Sequence, residues 1–373
     1  MYIKKKKHRI IFFLPVFSLG GASESLIKLS KFLKYSGFSV SLISIGQNVH
    51  KKYLKSIGCE IFELNTKRAL FSIFKLRYLI KKDLEREKYS KTTLISNIHY
   101  GNIISLISCF KLKNIKIILT ERSSLHELSI YNNFSKFLKN RIIFFLAKKI
   151  YRYADLIIAN SKYEKNYIKK NFCLKNVEHI YPPSISKIIT KQVYKKKNHG
   201  IKKIIYVGNL FREKGVITIV KALANIKDNL NFIFEIYGKG YEKKTIQDYI
   251  VNNHLQNKVV FKGFCKNKIN IFKNKDLLIN ASWCEGLPNA VIQSINYNVF
   301  PICSKSPGGN FEAIKYGKLG MSFKTNDSND LKKKILFFFK KKIRLNKEIQ
   351  KIHLKNFTQK KSNEKYFKIL KSF

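Results

Sequence analysis

The residues with the clearest chemical potential lie in Asn280-Ala-Ser-Trp-Cys-Glu-Gly-Leu-Pro-Asn-Ala-Val-Ile-Gln-Ser294. Glu285 closes an apolar run that reads as a buried strand. Gly286, Leu287, Pro288 and Asn289 then make a tight loop, with proline where the first turn of a helix tolerates it. Amides of such a loop can face a phosphate or a sugar, and the Glu285 carboxylate can accept hydrogen bonds from sugar hydroxyls. Gln293 follows about two helical turns after Glu285, so it projects from the same helix face toward the same place. A second segment, Val207-Gly-Asn-Leu-Phe-Arg-Glu-Lys-Gly215, puts Arg212 and Lys214 in the turn after a strand. Two cations and nearby helix amides can hold a diphosphate there, and a salt-bridged surface loop is the other reading of the same charges.

Three glycine turns follow apolar runs: Gly20-Gly21, Gly208 with Asn209, and Gly238-Lys-Gly240. Glycine lets a backbone approach a phosphate closely, but it also serves plain strand-to-helix turns. None of the three fits G-x-G-x-x-G with a suitably spaced acid, which disfavours dinucleotide binding. His99 and His126 are the histidines nearest to this chemistry. His126 follows Glu121-Arg122 and either touches a substrate or is a solvated loop residue. For Glu121 and Arg122, a mutual ion pair that orients the loop stands beside contact with a substrate.

These residues must be positioned by strands and helices, and the hydrophobic pattern supplies both. Strands are predicted at 9–14, 38–45, 60–64, 93–96, 115–120 and 156–160, with helices around 26–35, 70–88, 103–110 and 134–153. Such alternation implies parallel strands with crossover helices on both faces. After Tyr181-Pro-Pro-Ser184 a polar, lysine-rich stretch reads as a linker. The pattern then restarts, with strands at 204–207, 232–237, 259–261, 277–280, 300–303 and 321–323, and helices at 216–225 and 242–253. The expected organisation is therefore a domain over 1–183, a linker over 184–202, a second domain over 203–345 and a lysine-rich helical tail over 346–373. Two doubly wound α/β domains imply a ligand cleft at the carboxyl ends of their strands.

The chain of 373 residues carries 74 Lys and Arg against 23 Asp and Glu, a formal charge of +51, with 29 Phe and 20 Tyr. So many aromatic residues exclude a disordered polyelectrolyte. The charge invites nucleic acid, an anionic membrane or a polyanionic substrate. The lysines are nevertheless scattered through every segment, and Lys, Asn, Ile, Phe and Tyr are together what A+T-rich codons specify. No zinc-finger spacing or RNP-like aromatic stretch supports specific nucleic-acid binding. The six cysteines form no C-x-x-C pair, and most lie in apolar runs, which reads as reduced thiols in a cytoplasm. The basic start and apolar 10–14 resemble a signal peptide, but the amphipathic 25–35 that follows favours a first buried strand. The longest uncharged stretches, such as 92–110, are interrupted by Asn, His, Gly and Ser, so no membrane-spanning helix is expected.

With these motifs in view, the sequence resembles the retaining nucleotide-sugar glycosyltransferases of family 4, which have the GT-B fold of two Rossmann-like domains. The likeness rests on S-x-x-E-G-L-P-N at 282–289, G-x-L-x-x-x-K-G at 208–215, Gly238-Lys-Gly240 and Pro307-Gly-Gly-Asn-Phe-Glu312. In the first half it rests on Gly20-Gly21-Ala22, Thr120-Glu-Arg-Ser-Ser124 and Ala154-Asp-Leu-Ile-Ile-Ala-Asn-Ser161. The resemblance implies an N-terminal acceptor-side domain, with Glu121, Arg122 and His126, and a C-terminal donor domain. Lys214 would hold the donor diphosphate with Arg212, and Glu285 would contact the donor sugar. The amides of Gly286 to Asn289 would surround the sugar and distal phosphate, and Gly20 and Gly21 would lie near the donor phosphates. Gln293 falls where the family's second glutamate binds the ribose. Two departures stand out: Asn209 occupies a position usually held by Arg, with Arg212 as the possible substitute, and Gln293 replaces a carboxylate.

The implied reaction is transfer of a hexose or N-acetylhexosamine from a nucleoside diphosphate sugar to a lipid-linked or other glycan, with retention and without a metal or other cofactor. The protein would be cytoplasmic, with basic faces of the N-terminal domain at an anionic membrane. The alternatives are a nucleotide-sugar epimerase of the same fold, a binding-only relative disabled by Gln293 and, more distantly, a nucleic-acid-binding protein.

Overall fold

β1 (Lys7–Phe13, KHRIIFF) is apolar without a break only over its second half, 10–13, because helices cover both faces of the sheet it enters. Its side chains alternate: Ile11 and Phe13 join one core cluster, Ile10 and Phe12 the other. In the computed structural model, residues 7–17, 20–66, 69–85, 89–130, 134–189 and 200–373 are described. The chain divides into two units, Met1–Pro182 with Ser362–Phe373, and Pro183–Lys361.

The first unit holds β1, β2 (Ser39–Ser44), β3 (Glu60–Glu63), β4 (Tyr89–Asn97), β5 (Ile115–Glu121), β6 (Leu156–Ala159) and β7 (Val177–His179). They pair in the order β3-β2-β1-β4-β5-β6-β7, all parallel. The second unit holds β8 (Lys202–Val207), β9 (Phe232–Tyr237), β10 (Val259–Gly263), β11 (Leu277–Asn280), β12 (Phe300–Ser304) and β13 (Met321–Phe323). Their order is β10-β9-β8-β11-β12-β13, again all parallel. Chain order reverses between β1 and β4 and between β8 and β11. These are the switch points at which open α/β sheets leave a crevice at their strand ends.

The expected strands are present, and β7 is an additional one. The helices Lys51–Ser56 and Lys162–Phe172 were not expected either. The expected tail over 346–373 divides. Helix Lys347–Leu354 stays with the second unit, whereas Tyr366 and Leu370 of helix Gln359–Ser372 are buried in the first unit's core beside Leu26 and Leu33. Of the expected linker, residues 190–199 lie outside the described residues. Its first residues are part of the second unit: Ser184 Oγ donates to Asn289 Oδ1 at 2.6 Å, and the Ile189 amide donates to Asn296 Oδ1 at 3.0 Å. Residues 1–6 of the candidate signal peptide also lie outside the described residues, and its apolar run is β1. Arg9 there is buried, with Nε 2.9 Å from Asp83 and a guanidinium nitrogen 2.7 Å from Glu60. Among the described residues no helix is long and apolar enough to cross a membrane. All six cysteines are free thiols, four of them buried.

Candidate active site

At the switch point of the second sheet, the loop after β8 lies against the loop after β11. The Trp283 amide donates to the Glu213 carbonyl at 2.8 Å, and this contact sets the register of the two loops. Lys214 ends a single 3₁₀ turn, and its Nζ lies 2.9 Å from Glu285 Oε1. Ser282 Oγ donates to the same oxygen at 2.7 Å. The sequence segments read separately as a diphosphate holder and a sugar contact thus meet in one ion pair. It is neither sealed nor fully solvated, because the Lys214 and Glu285 side chains are 19% and 17% exposed.

The backbone around the pair is held by close approaches. The Glu285 amide donates to Pro307 O at 3.1 Å, and Gly309 N donates back to Glu285 O at 3.0 Å. Gly308 has φ +112°, and a Cβ there would lie 1.6 Å from Glu285 O, so only glycine fits. Gly238 and Gly240 abut the 208–210 turn, where a Cβ on Gly238 would lie 1.8 Å from Gly208 O. Their glycine character therefore follows from packing of two turns, whatever else they contact. Leu287 is buried as a whole residue, and Pro288 is the N-cap of helix Asn289–Asn296.

The remaining expected donor residues are arranged differently. Arg212 is exposed and lies 5.9 Å from the Trp283 ring centroid, so it is Lys214 that the fold places on Glu285. Asn209 is also exposed, and its carbonyl accepts from the Tyr206 hydroxyl at 2.7 Å. Gln293 Nε2 donates to the Ser184 carbonyl at 3.0 Å, and Asn296 Nδ2 donates to Lys187 O at 3.1 Å. Asn289, Gln293 and Asn296 thus form a polar stripe along one helix face that clamps residues 184–189. In the first unit, Gly20 and Gly21 are exposed at the start of helix Gly21–Tyr35, with Gly20 as its N-cap.

Glu121 is enclosed instead of open to an acceptor, and Arg122 is not its partner. Successive residues at the end of β5 point to opposite sides. Glu121, 0% exposed, accepts from His99 Nδ1 at 2.6 Å, from Asn102 Nδ2 at 2.9 Å and from the Tyr151 hydroxyl. Burial alone lowers the pKa of His99, but the facing Glu121 carboxylate more than reverses this and holds it up to about 9, so the ring is an imidazolium at neutral pH. Its Nε2 is 3.2 Å from Ser123 Oγ. The His99 backbone follows Ile98, whose φ of +71° is unusual for a β-branched residue and marks stored strain at the end of β4. Arg122, half-buried, donates to Asn97 Oδ1 at 3.1 Å and to Ser25 Oγ at 2.9 Å. His126 Nε2 is 3.1 Å from the Tyr163 hydroxyl, its ring is 4.4 Å from that of Tyr167, and burial lowers its pKa.

Sequence reasoning missed Asn97, Asn102, Tyr151 and Glu164. Glu164 accepts from Ser124 Oγ and the Leu125 amide, both at 2.9 Å, which anchors the loop after β5. The available signal was the polar set Asn97, His99, Asn102 and Ser105 inside an otherwise apolar stretch. Among the described residues no three His, Cys, Asp or Glu side chains converge as metal ligands.

Two parallel doubly wound units, the second with a cation and a carboxylate at its switch point, define an α/β enzyme of the GT-B type. Residues 19–183 match the model of Glycosyltransferase Family 4, and residues 188–355 that of Glycosyl transferases group 1. The chain belongs to this family of glycosyltransferases. It is 28% identical over 258 residues to an uncharacterized glycosyltransferase of Methanocaldococcus jannaschii, covering 65% of this chain and 63% of that one. It is 26% identical over 335 residues, 88% of each chain, to the GalNAc-alpha-(1->4)-GalNAc-alpha-(1->3)-diNAcBac-PP-undecaprenol alpha-1,4-N-acetyl-D-galactosaminyltransferase of Campylobacter jejuni. The crystal structure of Anabaena HepE in complex with UDP and glucose shares the fold, with a TM-score of 0.76 and 18% identity over 98% of this chain and 100% of that one.

Proposed function

We propose that this chain transfers a hexose or N-acetylhexosamine from a nucleoside diphosphate sugar to a lipid-linked glycan, with retention at the anomeric carbon and without a metal. The observation that carries the reading is the Lys214–Glu285 pair, partly open to solvent between two loops at strand ends. Both bonds to the carboxylate described above fall on Oε1, which leaves Oε2 to accept from a hydroxyl of the transferred sugar. Lys214 then turns to the donor diphosphate, with Arg212 at the outer edge and the amides of Gly286 to Asn289 around the sugar. Gly20, Gly21, Gly208, Asn209, Gly238 and Gly240 border the nucleotide in the same reading. The Campylobacter relative's lipid-linked substrate and the UDP and glucose bound to the Anabaena protein support the acceptor and donor classes.

The family likeness supports retention. The bond from the anomeric carbon to the phosphate oxygen breaks, and the acceptor oxygen bonds to that carbon on the same face. The acceptor's proton passes to the departing phosphate oxygen, so no side chain needs to be a strong base. Lys214 and the amides at the start of helix Asn289–Asn296 offset the charge that develops on the leaving diphosphate. The purified protein is tested with UDP-, GDP- and dTDP-sugars and a polyprenyl-diphosphate-linked oligosaccharide. Transfer from one donor class is expected, with product configuration read by NMR. Absence of both transfer and donor hydrolysis across the panel refutes the reading, and an inverted product refutes retention.

A further inference from the structure

Helices Ala69–Glu85, His99–Ser108 and Phe134–Ile150 pack side by side over one face of the first sheet. Leu76, Ile80, Ile103 and Ala147 are the buried side of that layer. The outer face of such a layer is ordinarily polar, and here it is not. On the first helix Leu70 and Phe74 are each 72% exposed, accompanied by Phe71 and Tyr78. On the last, Phe134 is 77% exposed, and Leu138, Ile142 and Phe145 continue along the same helix face. Phe110, just after the middle helix, is exposed as well, and Arg77 of the first helix donates to its carbonyl at 2.8 Å. The other exposed phenylalanines among the described residues, Phe264, Phe311 and Phe337, lie on three separate segments of the second unit. A phenylalanine-rich composition alone would have spread them evenly.

Cations lie beside these rings. Lys82 is 5.9 Å from the Tyr78 ring, Lys111 5.6 Å from Phe110, Arg141 5.9 Å from Phe137 and Lys149 5.7 Å from Phe145. Their stems run along apolar surface while the charged heads stay at its rim. Helix Phe134–Ile150 contains no acidic residue, and Glu85 is the one exposed acid of helix Ala69–Glu85. A neutral protein groove would accept the ridge but leave the cations unmatched. A nucleic acid would match the cations but not the ridge. An anionic bilayer satisfies both, because its interface takes aromatic and aliphatic side chains while its phosphates face lysine and arginine.

We propose that this three-helix face docks the protein on an anionic lipid bilayer, with the Phe and Leu ridge entering the interface. The inference rests on the reading of a lipid-linked acceptor, which it deepens, and vesicle binding tests it without turnover. The full chain is floated with vesicles of phosphatidylcholine alone and of phosphatidylcholine with phosphatidylglycerol. Binding to the anionic vesicles only is expected, with a loss of about tenfold or more in Phe74→Ser/Phe145→Ser and in Lys82→Gln/Lys149→Gln. The second-unit control Phe264→Ser/Phe337→Ser keeps full binding, and Glu285→Gln keeps it while turnover falls. Circular dichroism melting checks that each variant is folded. Equal binding to both vesicle types, no flotation at all, or equal loss in the second-unit control overturns the proposal. So does a ridge variant that converts a dimer to a monomer without changing flotation.

Discussion

The two sheets have the same strand logic and opposite treatment of charge at their switch points. In the first unit Glu121 and His99 are 0% and 7% exposed, and their bonds are satisfied inside the protein. In the second, Lys214 and Glu285 keep 19% and 17% exposure. A sealed carboxylate acts on shape, because it fixes the loop and the helix that share its hydrogen bonds. A partly exposed carboxylate can exchange a protein partner for a ligand. Topology therefore says where charge gathers, and enclosure says whether it is scaffold or site. The difference carries a magnitude, since breaking a buried pair costs about 3–5 kcal/mol against about 0–1 kcal/mol for an exposed one, and the Lys214–Glu285 pair falls between the two.

The most severe test is Glu121→Ala, which removes the counter-charge that keeps buried His99 protonated and takes the shared acceptor from Asn102 and Tyr151. A loss of about 3–5 kcal/mol from the first unit is expected. The chain's single tryptophan is Trp283, in the second unit, so its fluorescence separates the two. The circular-dichroism transition should move to lower temperature while the Trp283 transition stays in place. Lys214→Met should do the reverse. It removes about 100- to 1000-fold in kcat, the scale of losing one charge stabiliser in a transition state, and costs the second unit less stability than Glu121→Ala costs the first, because Glu285 keeps some access to solvent. If Lys214→Met unfolds the second unit and Glu121→Ala melts like the wild type, the contrast between scaffold and site is wrong.

The same contrast has a pH signature. Burial opposes and Glu121 more than restores the charge on His99, whose pKa stands at about 9 against an ordinary 6.5. Burial pushes Glu164 up to about 7 from 4.5, against the Leu125 amide and the Ser124 hydroxyl. Both shifts are upward, so the folded first unit binds more protons than the unfolded chain and loses stability as pH rises. The His99 contribution is complete below about pH 6.5 and is lost through about pH 9. That of Glu164 is complete below about pH 4.5 and is lost through about pH 7. The melting midpoint of the first unit should therefore fall between about pH 6.5 and 9, and His99→Gln should flatten that span. A midpoint that is level or rising across it in the wild type would show that the imidazolium does not stabilise the fold.

Both sheets were legible because apolar strand runs alternate with longer helical patterns, and Glu285 and Lys214 because each sits in a loop with distinctive spacing. Helix Lys162–Phe172 was hidden because only Glu164, Ile168 and Phe172 face the core, a stripe one residue wide in a lysine-rich segment. Its start was nevertheless written in Ser161-x-x-Glu164, where the Ser161 hydroxyl caps the Glu164 amide at 3.1 Å. β7 was hidden because a three-residue edge strand carries almost no periodicity. The division of the last 28 residues depends on which sheet each helix meets, and an amphipathic pattern names a buried face without naming its partner. The Glu121–Arg122 ion pair was misread for a related reason: adjacent Glu and Arg suggest a pair, but strand geometry turns neighbours apart.

The smallest expected effect decides what Gln293 does. Its amide nitrogen donates to the Ser184 carbonyl, and a glutamate cannot donate in its ionised form. Gln293→Glu therefore sets a carboxylate against a carbonyl oxygen and loses one hydrogen bond, about 1 kcal/mol, or about 2–4 °C in a unit of this size. The family pattern pulls the other way, because a carboxylate would accept a stronger, charge-assisted bond from a ribose hydroxyl. The clamp on residues 184–189 contains Asn289 and Asn296 as well, and Gln293 sits in the middle of that stripe. The expected outcome is accordingly a lower Trp283 melting midpoint with no gain in nucleotide affinity by calorimetry. Tighter nucleotide binding at an unchanged midpoint would return Gln293 to the donor site and leave the clamp to its two asparagines.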